Sequence, residues 1–155
     1  MTAIKRTPWG KYDQCTGHFH PLADHCLDVA LTWRLLADRP NLARGIAGLT
    51  EEQKDRLAVL TFLHDLGKCN RGFQAKANPN AQQTAGHVME AVGWLFDPKL
   101  EPEWPPDWCA LLGEIANWFA NEEQAAQMLI ASISHHGRPI SCYDIQQWIA
   151  STTAK

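Results

Sequence analysis

The residues of this chain that are best suited to chemistry are a histidine and an aspartate standing side by side, His64 and Asp65. They follow the apolar Phe62-Leu63 and precede Gly67, so polar groups stand at the end of a buried helix, where they need partners. Imidazole and carboxylate both bind divalent transition metals. A carboxylate can also bridge two ions, the arrangement used for displacement at phosphorus. The pair therefore predicts a metal site for phosphoryl chemistry.

Other histidines fall where they could join this pair. Besides His64, four of the seven histidines lie within or at the ends of predicted helices: His25, His87, His135 and His136. A single histidine on a helix is more often a hydrogen-bonded core or surface residue, and two at a helix C-terminus can simply complement the helix dipole. Only the combination favours a metal site.

Composition excludes several classes of protein. The formal net charge is −3, so any nucleic acid must be held by a local site and not by a general basic field. No stretch is long and apolar enough for a secretion signal or a membrane span. The five cysteines are scattered without a CxxC pair, which favours free thiols in the cytoplasm and argues against a zinc finger.

The elements that must position these residues are helical. Leu22, Val29 and Trp33 recur on one helical face, Thr50 with Gln53 forms a capping box, and no segment alternates like a strand. The predicted helices cover residues 21–38, 50–67, 84–96, 107–120 and 122–135, with a last short helix after 141. The expected fold is an all-α bundle of about six helices, with His64 and Asp65 at the end of the second.

The string His64-Asp65-Leu66-Gly67-Lys68 resembles the signature of the HD superfamily of metal-dependent phosphohydrolases. Further segments make the chain similar to the HD nuclease domain of the CRISPR-associated helicase-nuclease of type I systems. In chain order they are Trp9-Gly10-Lys11, His20-Pro21-Leu22 with His25, Phe62 to Lys68, Phe73-Gln74, Gly86-His87 and Ser134-His135-His136-Gly137. Their order and approximate spacing match from about residue 9 to residue 140.

The resemblance implies a ligand role for six residues in two metal centres. His25, His64 and Asp65 would belong to the first centre, with the Asp65 carboxylate bridging. The residues that would complete the second centre are His87, His135 and His136. Histidine-rich ligation favours Mn, Fe, Ni or Co over Mg, which prefers oxygen ligands.

The resemblance also implies catalytic and substrate-binding roles. Asp65 would be catalytic as the bridging ligand. Lys68 would lie beside the metals and position the scissile phosphate or stabilise developing charge. From the residues themselves, His20 could lie near the metals or simply on the surface, and Arg138 could contact a substrate phosphate or cap the preceding helix.

The function implied is hydrolysis of single-stranded DNA in CRISPR antiviral defence. Expected partners are the DNA, a helicase subunit and a CRISPR surveillance complex, with no membrane. Two alternatives stay open. One is an HD phosphohydrolase acting on nucleotides, and the other is a non-catalytic module that keeps the fold and binds a partner.

The chain departs from the family pattern near its C-terminus. The HD pattern normally ends with an aspartate well downstream of the His-His pair, and the only later acidic residue here is Asp144. Asp144 follows Ser141 by three residues, which is typical of a capping box. The sequence has no phosphate-binding loop of an ATPase. We therefore expect a single HD domain over residues 1–155, shortened at its C-terminus and without a helicase domain.

Overall fold

A computed structural model of the chain describes residues 7–39, 41, 44–97, 106–134, 140, 144, 145 and 147. The chain divides into two compact units, Met1–His87 and Val88–Lys155. The first contains α1 (Leu22–Ala37), α2 (Glu51–Phe62) and the single turn α3 (Arg71–Gln74). The second contains α4 (Val88–Phe96), α5 (Pro106–Ala116) and α6 (Glu122–Ile133). The predicted all-α class with about six helices is confirmed.

Both long helices of the first unit begin where the sequence predicts. Pro21 immediately precedes α1, and the capping box at the start of α2 is formed by both of its hydrogen bonds, between Thr50 and Gln53. The two helices and the segment that follows them bury a shared apolar core. Its members include Leu22, Cys26, Ala30, Leu60, Leu63 and Phe73.

A small hairpin precedes α1 and was not predicted. Strand β1 (Trp9–Tyr12) pairs antiparallel with β2 (Phe19–Pro21), and Tyr12 lies opposite Phe19. The register is irregular at Gly10, between Trp9 and Lys11. The expectation of no strand was wrong here, because strands of four and three residues are too short to show alternation.

The predicted passage of α2 through His64 and Asp65 to Gly67 is wrong. The α-helix ends at Phe62, and a 3₁₀ helix covers Leu63–Cys69. The Nδ1 atom of His64 lies 2.8 Å from the Thr61 carbonyl oxygen, the acceptor that the Asp65 N–H would use in a continued α-helix. Gly67 does not have a positive φ, so it is not a left-handed helix cap.

Helix α4 begins at Val88 and not near Thr84 as predicted, so His87 precedes the helix. The side-chain amide of Asn70 donates to the Gly86 carbonyl over 2.8 Å. That bond fixes the backbone next to His87.

The second unit follows the prediction more loosely. Asn121 caps α6 as expected and accepts from the Gln124 N–H over 2.9 Å, but α5 ends at Ala116 and not at residue 120. The last predicted helix lies largely outside the described residues, among which Asp144, Ile145 and Gln147 are helical. In the described part of the chain, every helix is too short or too polar to span a membrane.

Candidate metal centre

The site is built around the carboxylate of Asp65, which is almost completely buried in the 3₁₀ helix. Its Oδ2 atom lies 3.1 Å from Nε2 of His25 on α1 and 3.2 Å from Nε2 of His64. The ligand atoms of these three residues all lie within 4.8 Å of one another. Among the described residues, they form a group that could hold a metal ion.

His87 approaches the same carboxylate from another side. Its Nε2 atom lies 3.4 Å from Oδ1 of Asp65, and its ring packs edge-on against Phe73 with the centroids 5.1 Å apart. The two oxygens of Asp65 therefore face different imidazoles, Oδ2 towards His25 and His64, and Oδ1 towards His87. Of the six ligands expected from the sequence, the structure brings these four together. His135 and His136 lie outside the described residues.

The spacing of the donor atoms fits a shared cation. Two ligands that bind one ion at about 2.1 Å lie roughly 3.0 to 3.4 Å apart when the angle between them is octahedral or tetrahedral. The distances from Oδ2 of Asp65 to His25 and His64 fall in this range. A mixed nitrogen and oxygen donor set suits first-row transition metals.

The hydrogen bond of His64 makes a stronger argument for a cation. The Thr61 carbonyl can only accept, so Nδ1 of His64 must donate to it. In the neutral ring Nε2 is then an acceptor, and it faces the Asp65 carboxylate at 3.2 Å. Two acceptors at this distance repel each other unless the ring is protonated or a metal ion lies between them. A carbonyl that fixes the far nitrogen in this way is a common feature of metal-binding histidines.

The charges at the site favour its metal-binding protonation states. Burial alone would raise the pKa of the Asp65 carboxyl, but pairing with His64 and Lys68 outweighs it and holds the pKa well below its usual value. Burial lowers the pKa of His25, although the nearby Asp65 carboxylate opposes this shift. Near neutral pH the site therefore offers a carboxylate and a neutral imidazole, the forms that bind metals.

Lys68 contacts the central carboxylate directly. Residues three apart eclipse on a 3₁₀ helix, which places Nζ of Lys68 2.6 Å from Oδ2 of Asp65. The same Nζ donates to the Gly10 carbonyl over 3.1 Å, and the side chain is buried. The structure thus gives Lys68 a contact with Asp65 that the sequence did not reveal.

Gln74 and Asn70 form a frame around the site that sequence reasoning missed. The side chain of Gln74 donates to the carbonyls of Trp9 and Lys68 over 3.0 and 2.7 Å, and it accepts from the Trp9 N–H over 2.9 Å. Asn70 donates to the carbonyls of Gly67 and Gly86 over 2.6 and 2.8 Å. These two amides join β1, the 3₁₀ helix and the segment before His87. The only signal in the sequence was the recurrence of Phe73-Gln74 in the family pattern, which gave no role.

Gly10 allows β1 to lie against α1 at the site. A Cβ atom at this position would stand 2.8 Å from Cβ of His25, closer than real contacts allow. The absence of a side chain therefore lets the Gly10 carbonyl reach Lys68 while His25 keeps its position.

Of the two expected substrate contacts, His20 is the one that lies among the described residues. His20 pairs with Asp28 at 3.4 Å, and 38% of its side chain is exposed. Its ring centroid lies 5.9 Å from that of His25, so it lies beside the centre without facing Asp65. Arg138 lies outside the described residues.

Histidines from separate helical segments that meet a His-Asp pair are the arrangement that characterises an HD domain. The family model of the HD domain of Cas3 matches residues 9–154, nearly the whole chain. The chain therefore belongs to this family of CRISPR-associated HD nucleases, and the resemblance inferred from its motifs is confirmed. No curated protein and no solved structure matches the chain.

Proposed function

We propose that this protein is a metal-dependent HD nuclease that hydrolyses single-stranded DNA in CRISPR defence. The observation that carries the proposal is the position of His64. Its ring is fixed by the Thr61 carbonyl so that Nε2, an acceptor in the neutral ring, faces the Asp65 carboxylate at 3.2 Å, and a bound cation would relieve the repulsion between them. Membership of the family supports the choice of substrate and of biological setting.

The donor set supports divalent transition metals as the cofactor. Mn, Fe, Ni and Co suit imidazole with carboxylate, and Mg remains a candidate with lower preference for nitrogen. Ions bound there would polarise a phosphoryl oxygen of the substrate and would lower the pKa of a bound water towards neutral. His25, His64 and Asp65 would hold the first ion, and His87 would hold the second through its place beside the other oxygen of Asp65.

Asp65 and Lys68 would have different roles in catalysis. Asp65 would bridge the two centres, because its oxygens face different histidines. Lys68 would fix the orientation of that carboxylate and add a positive charge where negative charge develops on the substrate.

Several predictions from the family stay open beside this proposal. The ligand roles of His135 and His136 and the phosphate contact of Arg138 rest on the motif pattern alone. The same holds for a single HD domain over the whole chain and for a helicase subunit and surveillance complex as partners.

Metal analysis with a matched cleavage assay tests the proposed function. Purified protein should contain one or two equivalents of a divalent ion, and it should cut circular single-stranded DNA with Mn²⁺. A chelator should abolish the cutting, and added metal should restore it. Turnover of cyclic dinucleotides without any cutting of DNA would favour the nucleotide hydrolase instead. Metal-free protein that stays inactive on both substrates when Mn²⁺ is supplied would favour the non-catalytic module.

A further inference from the structure

A second site in the first unit lies on the face of the hairpin next to the metal centre. It is a cleft of about 750 Å³, which we call the aromatic cleft. Three aromatic side chains from the two strands line it, Trp9, Tyr12 and Phe19, and its lining also includes Arg71, Gln74 and Asn78.

The aromatic rings of the cleft differ in how far they are open to a ligand. Phe19 is 53% exposed, which is unfavourable for a large apolar side chain unless something covers it. Trp9 and Tyr12 are half-buried, with their centroids 5.7 Å apart and their planes tilted by 43°. Trp9 also packs against Phe73, with the centroids 4.8 Å apart, so Phe19 is the ring that a ligand can contact most freely.

The charge of the lining suits an anion that carries flat rings. Arg71 is the charged residue among those that line the cleft, and no aspartate or glutamate is among them. Arg71 makes no ion pair within the described residues. A guanidinium group can bind a phosphate or stack on a base. Gln74 adds an amide, although its hydrogen bonds hold the frame of the metal site.

Three short connections join the lining of the cleft to the residues of the metal centre. Trp9 lines the cleft, and the next residue, Gly10, bonds to Lys68 and lies against His25. Cys69 lines the cleft directly after Lys68. Gln74 lines it and bonds to the Lys68 carbonyl. The residues that line the cleft therefore adjoin, along the chain or by a hydrogen bond, the residues that hold the metal centre.

We propose that the aromatic cleft binds unstacked bases of the single-stranded DNA whose backbone is cut at Asp65. This inference rests on the proposed function, because it assigns a subsite to the same substrate. Bases stack on the rings, and stacking tolerates any sequence because every base has an aromatic face. Arg71 holds a neighbouring phosphate. The cleft thus selects a strand with unpaired bases, since paired bases in a duplex offer no free faces.

Binding measured without metal tests the cleft apart from catalysis. The probes are a fluorescent oligothymidylate and an abasic oligonucleotide of the same length, followed by anisotropy in the presence of chelator. Phe19→Ala should weaken binding of the oligothymidylate by about tenfold and leave the abasic strand unchanged. Phe19→Tyr, which keeps an aromatic face, should bind like the unmodified protein. Leu35→Ala is the matched control, because Leu35 is also a large exposed apolar residue, at 67% exposure.

Arg71→Ala should act on both strands. It should weaken both oligonucleotides equally and lower the slope of log affinity against log salt by about one, because one phosphate contact is lost. Arg44→Ala, an exposed arginine of the same unit, should change neither property. Equal affinity of the Phe19→Ala and unmodified proteins for the oligothymidylate would overturn the proposal. Equal loss on the abasic strand would overturn it as well, because the residue would then not be reading bases.

Cleavage assays separate failure of this inference from failure of the proposed function. With Mn²⁺, Phe19→Ala should raise KM for the oligothymidylate and leave cleavage of the abasic strand unchanged. If the unmodified protein cuts neither strand, the proposed function fails, and the binding comparison still decides the cleft. If it cuts both strands and Phe19→Ala changes neither KM, the cleft fails and the nuclease stands.

Discussion

Two clusters of charged side chains in the first unit are held by the same kind of ion pair, but one cluster is buried and the other is exposed to solvent. One is the Asp65 group of the metal centre. The other lies between α1 and α2, and we call it the α1–α2 charge cluster; its members are Arg34, Asp38, Glu51, Lys54 and Asp55. In this cluster the carboxylate side chains are 53 to 69% exposed, whereas the side chain of Asp65 is 2% exposed.

The two clusters also differ in redundancy. In the α1–α2 charge cluster Arg34 bonds to three carboxylates, and Lys54 bonds to two of the same three. When one ion pair is lost, the remaining charged groups can still pair with other members of the cluster or with water. At the metal centre one carboxylate serves three imidazoles and one ammonium. Exposed ion pairs contribute little because water competes for them, while a buried charge that loses its partner is strongly destabilising. The difference teaches that burial, and not the number of bonds, marks the functional cluster.

The largest effect is expected from Asp65→Asn. This change keeps the shape of the side chain but removes the charge shared by His25, His64 and Lys68. Bound metal should be lost, and cleavage of single-stranded DNA should fall to background. Asp55→Asn is the matched control, because Asp55 also bonds to a cation, Arg34, over 2.8 Å. It should keep full metal content and activity; equal losses in the two proteins would show that burial does not distinguish the clusters.

Lys68→Met should have the next largest effect, seen most clearly in metal-free protein. Removing the ammonium leaves the buried Asp65 carboxylate without its closest cation, so the free energy of unfolding should fall by roughly 3–5 kcal/mol. Metal should still bind and recover part of that loss, while hydrolysis slows. Urea unfolding with chelator and with Mn²⁺ measures the difference.

Lys54→Met is the control for that change, since Lys54 bonds to exposed Asp38 and Glu51. Its loss of stability relative to the unmodified protein should be the same with chelator and with Mn²⁺. Loss of bound metal from the Lys68→Met protein would contradict the division of work between Asp65 and Lys68.

Local signals in the sequence predicted the helical class and several helix ends. The capping residues Thr50 and Asn121 mark helix starts because each satisfies N–H groups within three residues of itself. The family motif is likewise readable from the sequence, and the order of its segments led to His25, His64, Asp65 and His87. Local bonding rules and motif order are both readable without knowledge of tertiary contacts.

The features that the sequence did not predict depend on particular side-chain contacts. The 3₁₀ helix follows α2 where the His64 side chain bonds to the Thr61 carbonyl, and a periodic pattern does not reveal such a bond. The hairpin is held by Gln74, 65 residues from Trp9. The Lys68 contact with Asp65 joins residues three apart, and the sequence alone did not single it out.

Gly10→Ala should have an intermediate effect that acts through position and not through charge. The added Cβ would meet Cβ of His25 at 2.8 Å, so β1 must move away from α1 and withdraw its carbonyl from Lys68. We expect a loss of about 1–3 kcal/mol of stability, weaker metal binding and slower cleavage. Gly45→Ala is the control, because a Cβ there meets nothing within 4 Å. Unchanged metal affinity in Gly10→Ala would show that the hairpin does not position the centre.

The smallest effect is expected from Arg34→Met, although Arg34 makes more ion pairs than Lys68. Methionine keeps an apolar stem for packing, Lys54 still pairs with Asp38 and Glu51, and water solvates the exposed carboxylates. The thermal unfolding midpoint should change little, and metal content and cleavage should equal those of the unmodified protein. Because exposed pairs are screened by salt, any loss should also shrink between low and high ionic strength. A salt-independent loss as large as that of Lys68→Met would mean that bond number outweighs burial, and the distinction between the two clusters would fail.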